Sequence, residues 1–324
     1  MYKFDPKIIR VGISGCLIGQ KVRFDGGHKR SDFCTDQLAN HVAFVPFCPE
    51  MAIGLGTPRP SIRLISTRST PNAGDSKIIA QTAKGDDVTE ALRDYGRTMA
   101  AQFGGLSGYV LCAKSPSCGM ERVRMYHESG QGSVKDGIGI YAAELMRAQP
   151  LLPLEEDGRL SDPGLRENFV TRVFALHDWQ CLCHEGITAA GLIAFHSRYK
   201  YLLMAHHRES YLQMGKLLSD LSKNLVAIAD IYISQLMQAL SQPVTRNNHT
   251  NVLQHLQGYF KRDLNKSQRE ELADTISQYH QGILPLFAPI TLFRHYLKAF
   301  PNEYLRQQVY LNPHPEALRL RYGI

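Results

Sequence analysis

The amino-acid sequence predicts an α/β N-terminal domain with a mainly parallel, Rossmann-like sheet, followed by an all-α C-terminal domain. Two patterns predict this organisation. Short apolar runs alternate with amphipathic stretches over the first 150 residues, as in a parallel sheet covered by helices. Beyond residue 160, apolar residues recur every three or four positions, which is typical of helices. The segment 149–158, rich in proline and acidic residues, separates the two patterns, so we predict domains at 1–155 and 156–324.

The first domain is predicted to contain four strands, at 8–14, 42–47, 61–66 and 108–112. Three helices should lie between or after them. One begins near Ser31, one is capped by Thr89 and ends at Gly104, and one begins at Gly139.

In the second domain, the spacing predicts helices over 187–205, 211–221, 226–240 and 251–260. A capping box of Ser267 and Glu270 predicts a further helix that extends to Tyr279. Breaks are expected at residues 242–243 and at the following glycine and prolines: Gly282, Pro285, Pro289, Pro301.

Composition indicates an ordinary globular protein, with 44% apolar and 21% charged residues in a chain of 324. No apolar run reaches the roughly 18 residues that cross a bilayer, and the first residues lack a signal-peptide core. We therefore expect a cytoplasmic protein with no membrane partner. Seven cysteines in a reducing compartment indicate metal ligation or catalysis rather than disulfides.

The charge is uneven along the chain. The formal net charge is +7, and residues 190–324 contain 15 Lys and Arg against 9 Asp and Glu. An excess of basic residues in one domain favours a polyanionic partner such as nucleic acid, although a basic surface without such a partner is also common.

Three cysteines follow predicted strands at the points where the strands end: Cys16, Cys48 and Cys118. The carboxyl ends of parallel strands lie at one edge of a sheet, so these thiols are expected to meet there. Thiolates prefer zinc or iron–sulfur clusters to hard cations. Three thiols at one edge therefore predict a metal or cluster site with one open position.

The remaining cysteines have plainer interpretations. Cys34 and Cys112 are predicted to be small buried apolar side chains, the usual role of a lone cysteine. Cys181 and Cys183 lie two residues apart on a predicted helix, where their side chains do not share a face.

Several short motifs resemble the TudS-type thiouracil desulfidase family over residues 7–155. They are Ser14-Gly15-Cys16-Leu17, Val22-Arg23-Phe24-Asp25-Gly26, Cys48-Pro49-Glu50, Gly54-Leu55-Gly56-Thr57-Pro58-Arg59-Pro60 and Ser115-Pro116-Ser117-Cys118-Gly119. The rest of the chain, around 195–206, resembles the YbgA-type C-terminal domain. This fusion is similar to the RudS group, which removes sulfur from 4-thiouridine in tRNA.

The resemblance implies roles for individual residues. It implies a 4Fe–4S cluster held by Cys16, Cys48 and Cys118, with Glu50 as the catalytic acid–base group and Ser115 as the catalytic serine. The small Ala113 departs from the longer residue expected before Lys114. The resemblance also implies that thiolated tRNA is the partner and that no obligate protein partner is needed.

Basic side chains of the second domain are the expected contacts to RNA phosphates. Tyr199 and Tyr201 could stack on exposed bases, although tyrosines at helical spacing more often lie in the core. The candidate RNA-binding residues are Arg198, Lys200, Arg208, Lys261, Arg262, Lys266, Arg269.

Four alternatives remain open at this stage. The enzyme could act on free thiouracil or thiouridine, or the chain could be a nucleic-acid-binding accessory protein whose cluster is structural. Zinc could replace iron. Finally, Cys118 could be a nucleophile activated by a histidine, for which the first domain offers His28, His41 and His127.

Overall fold

The computed structural model describes residues 4–66, 78–129, 131–222 and 224–321. Contacts divide the chain into two compact units, Met1–Asp162 and Pro163–Ile324. The first unit is α/β and the second is largely helical, which confirms the predicted fold class. The division falls after Asp162, seven residues beyond position 155.

A four-stranded parallel sheet forms the centre of the first unit, in the order β2-β1-β5-β8. Its strands are β1 (Arg10–Ser14), β2 (Ala43–Phe47), β5 (Gly108–Leu111) and β8 (Leu154–Glu156). Strand β5 is wholly buried and β1 nearly so, as expected of strands covered on both faces. Segment 149–158, predicted to be the domain boundary, contributes β8 to this sheet.

The central strands lie unusually close to one large side chain. A Cβ atom at Gly12 would lie 2.2 Å from the Tyr109 ring, so glycine lets that ring pack over β1. Tyr109 also contacts Phe47 and Phe103 and lies 3.2 Å from the hydroxyl of Tyr141. This aromatic cluster supports the strands whose ends form the site.

A second sheet has the order β4-β3-β6-β7, with β3 and β6 parallel and the outer pairs antiparallel. Its strands are β3 (Ile62–Ser66), β4 (Ile78–Thr82), β6 (Val123–His127) and β7 (Ser133–Gly137). Only β3 is predicted from the sequence. The exposed, charged β7 lacks the apolar alternation that identifies a strand.

The described residues of the first unit form the α-helices α1 (Pro49–Ala52), α2 (Thr89–Ala100) and α3 (Ile140–Ala148). Thr89 is not the cap of α2, because Val88 holds that position. The Thr89 hydroxyl instead accepts a hydrogen bond from the Ala80 amide at 2.8 Å. The predicted helix at Ser31 is only a short helical turn, Phe33–Gln37.

The second unit consists of α4 (Pro163–Glu185), α5 (Ala189–His206), α6 (Arg208–Leu217), α7 (Leu225–Leu240), α8 (Arg246–Tyr259), α9 (Lys266–His280), α10 (Phe287–Ala299) and α11 (Glu303–Arg306). The capping box of α9 is formed by Asn265 and Gln268 rather than by Ser267 and Glu270. Pro289 does not break α10, because it lies in the first turn, where the amide N–H that proline lacks would have no partner within the helix. No described helix is long and apolar enough to cross a membrane.

Candidate active site

Three neighbouring strands deliver cysteines to one edge of the parallel sheet. Cys16 lies in the helical turn Gly15–Ile18 after β1, Cys48 directly follows β2, and Cys118 lies in the loop after β5. All three line one cavity of about 410 Å³. The structure therefore brings together the three thiols that the sequence predicts to meet.

Two of these three thiols are buried, and Cys48 is half-buried. Cys16 is 8% exposed and Cys118 is 6% exposed. Burial and the charge of Glu50 raise the pKa of the Cys118 thiol, and a hydrogen bond from Ser14 opposes that rise only in part. Burial also raises the pKa of Cys48. A bound metal, which deprotonates a thiol outright, would supply the positive charge that these sulfur atoms need to ionise.

The loop that carries Cys118, residues 115–119, is held by the first turn of α3. The Ile140 amide donates to the Pro116 carbonyl at 3.1 Å, and the Ala142 amide donates to the Ser117 carbonyl at 3.1 Å. The first amides of a helix lack partners within the helix, so the loop carbonyls satisfy them. One interaction thus completes the helix and fixes the loop.

Gly139 lets the loop approach α3 this closely. A Cβ atom at position 139 would lie 2.5 Å from the Ser117 carbonyl oxygen and 2.9 Å from the Cys118 amide nitrogen. Backbone atoms cannot give way as a flexible side chain does. The position of Cys118 therefore depends on a residue without a side chain at 139.

Ser115 organises the same loop from inside. Its hydroxyl oxygen accepts hydrogen bonds from the amides of Ser117, at 3.2 Å, and Cys118, at 3.1 Å. A hydroxyl that accepts from two amides keeps its own hydrogen for a further acceptor. Ser115 lines the cavity, so that hydrogen can be donated to a bound molecule.

Glu50 lies in α1, two residues after Cys48, and its side chain is 14% exposed. Ser117 donates to its Oε1 at 2.8 Å, while Arg59 donates to its Oε2 through Nε, at 2.8 Å, and through Nη2. Arg59 is held in turn by the carbonyls of Gly56 and Val22, each at 2.8 Å. The carboxylate is therefore fixed in orientation beside the thiols.

Sequence reasoning missed the roles of Arg59 and Ser117. Both residues lie in the quoted motifs, yet nothing in the spacing shows that Arg59 reaches back to Glu50. The Arg59 side chain is only 3% exposed. A buried arginine beside a carboxylate is found by tertiary structure, because the two residues approach through the loop between α1 and β3.

Cys112 is buried, as expected, but it is not remote from the site. It lines the cavity, and its amide donates to the Ser14 hydroxyl at 3.0 Å. A hydrogen bond with Cys16, together with burial, raises the pKa of the Cys112 thiol. Cys34, in contrast, is fully buried and does not line the cavity.

Lys29 supplies a positive charge to the cavity. Its amine lies 2.8 Å from Asp157 Oδ2, and the other oxygen of Asp157 accepts from the Ala113 amide at 2.8 Å. Burial acts to lower the pKa of Lys29, but the hydrogen bond to Asp157 and the nearby thiols raise it overall. Lys29 is therefore a fixed cation next to Cys16 and Cys112.

The predicted RNA-binding residues fall into two groups. Lys261, Arg262, Lys266 and Arg269 are exposed and lie where α8 gives way to α9, and Arg208 is exposed at the start of α6. Arg198 and Lys200 are half-buried on α5. Arg198 pairs with Asp178 at 2.5 Å and Lys200 lies 5.1 Å from the centre of the Tyr201 ring, so these two have contacts within the unit.

Of the two roles considered for Tyr199 and Tyr201, the structure shows the position in the core and not the stacking on bases. Each is 2% exposed. Tyr199 stacks on Phe195, with 4.4 Å between ring centres, and Tyr201 donates a hydrogen bond to Tyr259 at 3.0 Å. Helix α5 is buried on several sides, so both rings belong to the core.

Comparisons with known proteins match each half of the chain separately. A family model described as 2-thiouracil desulfurase matches residues 11–157. A model described as a protein of unknown function, DUF1722, matches residues 200–315. The chain is 34% identical over 159 residues to "Uncharacterized protein YbgA" of Escherichia coli (strain K12), which covers 48% of this chain and 94% of YbgA. The chain belongs to the YbgA family.

A search of solved structures gives a 4Fe–4S-dependent thiouracil desulfidase, TudS, with 28% identity and a TM-score of 0.36, covering 47% of this chain and 93% of that one. The chain joins an N-terminal half that matches the desulfurase model to a YbgA-like C-terminal half. It is an enzyme of the desulfidase class, which the match to the desulfurase model favours over a non-catalytic accessory protein.

Among the described residues, no three His, Cys, Asp or Glu side chains are placed to hold one metal ion. Zinc in place of iron stays an open alternative. Within this family member, the site disfavours a Cys118 nucleophile. The residues described around the cavity include no histidine, so Cys118 has no imidazole to activate it as a nucleophile.

Proposed function

We propose that this desulfidase converts 4-thiouridine in tRNA to uridine, releasing sulfide, with a 4Fe–4S cluster held by Cys16, Cys48 and Cys118. The observation that carries the proposal is the convergence of these thiols with Glu50 and Ser115 around one cavity. Water supplies the oxygen that replaces sulfur, and both hydrogens leave with the sulfide. No electrons are exchanged overall.

The residues present fit such a cluster. Each thiolate of a cluster binds a different iron, so the ligands lie farther apart than those of a single ion. Cys16, Cys48 and Cys118 line one cavity of about 410 Å³, the first and last buried and Cys48 half-buried, and three ligands would leave one iron without a protein ligand. When bound, the cluster supplies a soft Lewis acid suited to a thiocarbonyl sulfur.

Glu50 is the acid–base group of the proposed reaction. It either takes a proton from the attacking water or gives one to the pyrimidine ring nitrogen, and such transfers typically contribute about 10²–10⁴-fold in rate. Arg59 and Ser117 fix its two oxygens. The hydrogen of Ser115 is free to donate to the base or to relay a proton.

The cavity suits a single nucleotide that has left its stack. A volume of about 410 Å³ holds a base and ribose but not a duplex. Phe24 lies at the cavity, is 43% exposed, and has the Arg23 guanidinium 5.7 Å from its ring centre. An exposed aromatic ring is the kind of surface on which a single-stranded base stacks.

Support for tRNA rather than a free base comes from the helical unit. Lys261, Arg262 and Lys266 are exposed within one turn region, where they could contact phosphates. Free thiouracil would need none of these charges. A preference for tRNA therefore predicts that these residues affect the turnover of thiolated tRNA but not that of a free thiobase.

The test uses full-length, cluster-reconstituted protein and two substrates, 4-thiouridine tRNA and free 4-thiouridine. Changing Lys261, Arg262 and Lys266 to Gln should slow tRNA turnover at least about tenfold at moderate salt and leave free 4-thiouridine turnover unchanged. Arg269 is left in place because it donates to the Lys261 carbonyl at 3.1 Å. The matched control changes the exposed Lys216, Lys298 and Arg306 to Gln, removing the same charge elsewhere.

Nucleoside analysis of the treated tRNA supplies the readout. Loss of 4-thiouridine with equal gain of uridine and sulfide supports the proposal. Turnover of free 4-thiouridine alone would assign the enzyme to free thiobases. Glu50→Gln should retain the cluster and lose turnover of both substrates; if that variant keeps full activity, the assignment of Glu50 is wrong.

A further inference from the structure

The helical unit contains a second cavity, of about 260 Å³, which the desulfidase reaction does not use. The first turns of α4 and α8 line it, together with residues 285–286 and 320–321. We refer to it as the helical-unit cavity. Its charged and titratable residues are Glu167, Arg246, His249, Tyr279 and Arg321.

Arg321 is buried with part of its guanidinium unpaired. It is 7% exposed, and it donates from Nε to Glu167 Oε1 and from Nη1 to the Tyr310 carbonyl, each at 2.6 Å. Among the described residues, no acceptor is recorded for Nη2. Arg321 lines the cavity, and Nη2 is not among the side-chain nitrogens that the described structure buries without a partner, so this N–H group can donate to a bound acceptor.

Arg246 brings a second guanidinium to the same cavity. Its Nη1 donates to the Tyr279 carbonyl at 2.7 Å, and its guanidinium carbon lies 5.2 Å from the centre of the Tyr279 ring. In the described part of the chain, neither Nε nor Nη2 of Arg246 has a recorded acceptor. Nitrogens of two arginines therefore remain available in one cavity.

The charges favour an anion. Two guanidinium groups face one carboxylate, Glu167, which leaves one positive charge uncompensated. Burial, with the charge of Arg321, lowers the pKa of His249 to about 3, so this histidine is neutral and adds no charge. The first turns of α4, with 23 residues, and α8, with 14, add the partial positive charge of their N-termini.

The other side of the cavity is apolar. Pro285, Leu286, Leu320 and Val244 line it, opposite the arginines. A volume of about 260 Å³ exceeds what one oxyanion fills and approaches the roughly 300 Å³ of the smallest ligand pockets. The cavity thus suits a ligand with an oxyanion at one end and a ring at the other.

We propose that the helical-unit cavity binds the phosphoryl group of a nucleotide, with Arg246 and Arg321 donating to its oxygens and the apolar side receiving the attached base or sugar. Guanidinium groups pair with phosphate through parallel hydrogen bonds: Nε and Nη2 of Arg246 can make two, and Nη2 of Arg321 can add one. The proposal goes beyond desulfidation and does not depend on it. The phosphoryl group could belong to a free nucleotide or to an RNA end.

The experiment measures binding to the full chain by isothermal titration calorimetry. The probes are inorganic phosphate, AMP, adenosine and acetate; an adenine nucleotide avoids the pyrimidine preference expected of the desulfidase site. Phosphate and AMP should bind saturably, AMP more tightly, whereas adenosine and acetate should bind at least about tenfold more weakly than AMP.

Arg246→Gln is the informative variant, because Arg321→Gln would leave the half-buried Glu167 without its arginine partner and destabilise the unit. It should weaken AMP binding about tenfold or more, while the control Arg306→Gln, at an exposed arginine of the same unit that does not line the cavity, should not. Circular dichroism and thermal unfolding check that both variants fold.

Further measurements show whether the phosphoryl group belongs to a free nucleotide or to an RNA end, and which results would contradict the proposal. A short RNA with a 5′-phosphate that binds more tightly than AMP, and loses binding when dephosphorylated, assigns the site to an RNA end; equal or weaker binding assigns it to a free nucleotide. Adenosine or acetate binding as well as AMP overturns the proposal. So does AMP binding that Arg246→Gln leaves unchanged.

Discussion

Both cavities of this desulfidase contain a buried arginine paired with a carboxylate, yet the two pairs are arranged in opposite ways. In the first unit, Arg59 is surrounded by carbonyls and holds Glu50 beside the thiols. In the second unit, Glu167 holds Arg321, whose guanidinium keeps one nitrogen free. The first pair presents an oriented carboxylate, and the second presents an oriented guanidinium.

The difference shows that an ion pair alone does not reveal the chemistry of a site. The neighbouring atoms decide which partner is presented. Sulfur atoms and the Ser115 hydroxyl surround Glu50, which suits proton transfer and a soft metal. A second arginine and apolar side chains surround Arg321, which suits binding of an anion without chemistry.

The largest expected effect tests the thiols of the first cavity. Cys118→Ala should abolish sulfide release and lower bound iron and acid-labile sulfide, because the cluster loses one of three ligands. Iron and sulfide analysis of anaerobically prepared protein measures this. Cys34→Ala, at a fully buried cysteine outside the cavity, is the matched control. Full iron content and activity in Cys118→Ala would exclude Cys118 as a ligand.

A second prediction concerns the arginine that positions Glu50. Arg59→Gln leaves Glu50 without its charged partner, and breaking a buried pair costs about 3–5 kcal/mol in the free energy of unfolding. We expect a lower kcat with little change in KM for free 4-thiouridine, and an unchanged iron content. Chemical denaturation and steady-state kinetics measure these effects. The control Arg63→Gln, at an exposed arginine of β3, should change neither the free energy of unfolding nor kcat. An unchanged kcat in Arg59→Gln would show that Arg59 does not position Glu50.

A third prediction concerns how the Cys118 loop is fixed. Gly139→Ala places a methyl group against the backbone of Ser117 and Cys118, and overpacking of this kind costs about 1–3 kcal/mol. The loop should shift, so bound iron should fall while the helical unit stays unchanged. Gly104→Ala, where a Cβ atom meets nothing within 4 Å, is the control. Equal iron in both variants would show that the loop tolerates the methyl group.

The smallest expected effect is a pH dependence confined to the second unit. Burial lowers the pKa of His249 to about 3, with Arg321 and Arg246 adding to the decrease and Glu167 opposing it. Because the unfolded chain binds a proton near pH 6.5 and the folded chain does not, stability is full above pH 6.5 and falls below it. The loss by pH 5 should be about 2 kcal/mol for this histidine.

The measurement is denaturant unfolding at pH 7.5 and pH 5, followed by fluorescence of Trp179, the single tryptophan of the chain, which lies on α4. His249→Gln should reduce the loss of stability at pH 5. Some loss of stability at pH 5 should remain in this variant, because burial also lowers the pKa of His206, to about 4. His255→Gln, at an exposed histidine, should behave as the wild type, and an identical slope in His249→Gln would exclude His249 as its source.

The sequence by itself determined the parallel sheet, the helical second half and the meeting of Cys16, Cys48 and Cys118. The physical reason is local: buried strands are continuous apolar runs, and residues that follow parallel strands share one edge whatever the loops do. The positions of α5 to α9 also followed from apolar spacing, whereas α10 did not, because Pro285 and Pro289 predict breaks. The capping residues of α9 did not follow either, since several polar residues there can cap.

Only the tertiary structure decided which side chains face each other. Arg59 meets Glu50 and Cys112 joins the cysteine cavity through loop paths that no spacing encodes. Tyr199 and Tyr201 enter the core because α5 packs on several sides. The helical-unit cavity joins Glu167 and Arg321, which are 154 positions apart. Such contacts depend on how whole helices pack, which local pattern does not contain.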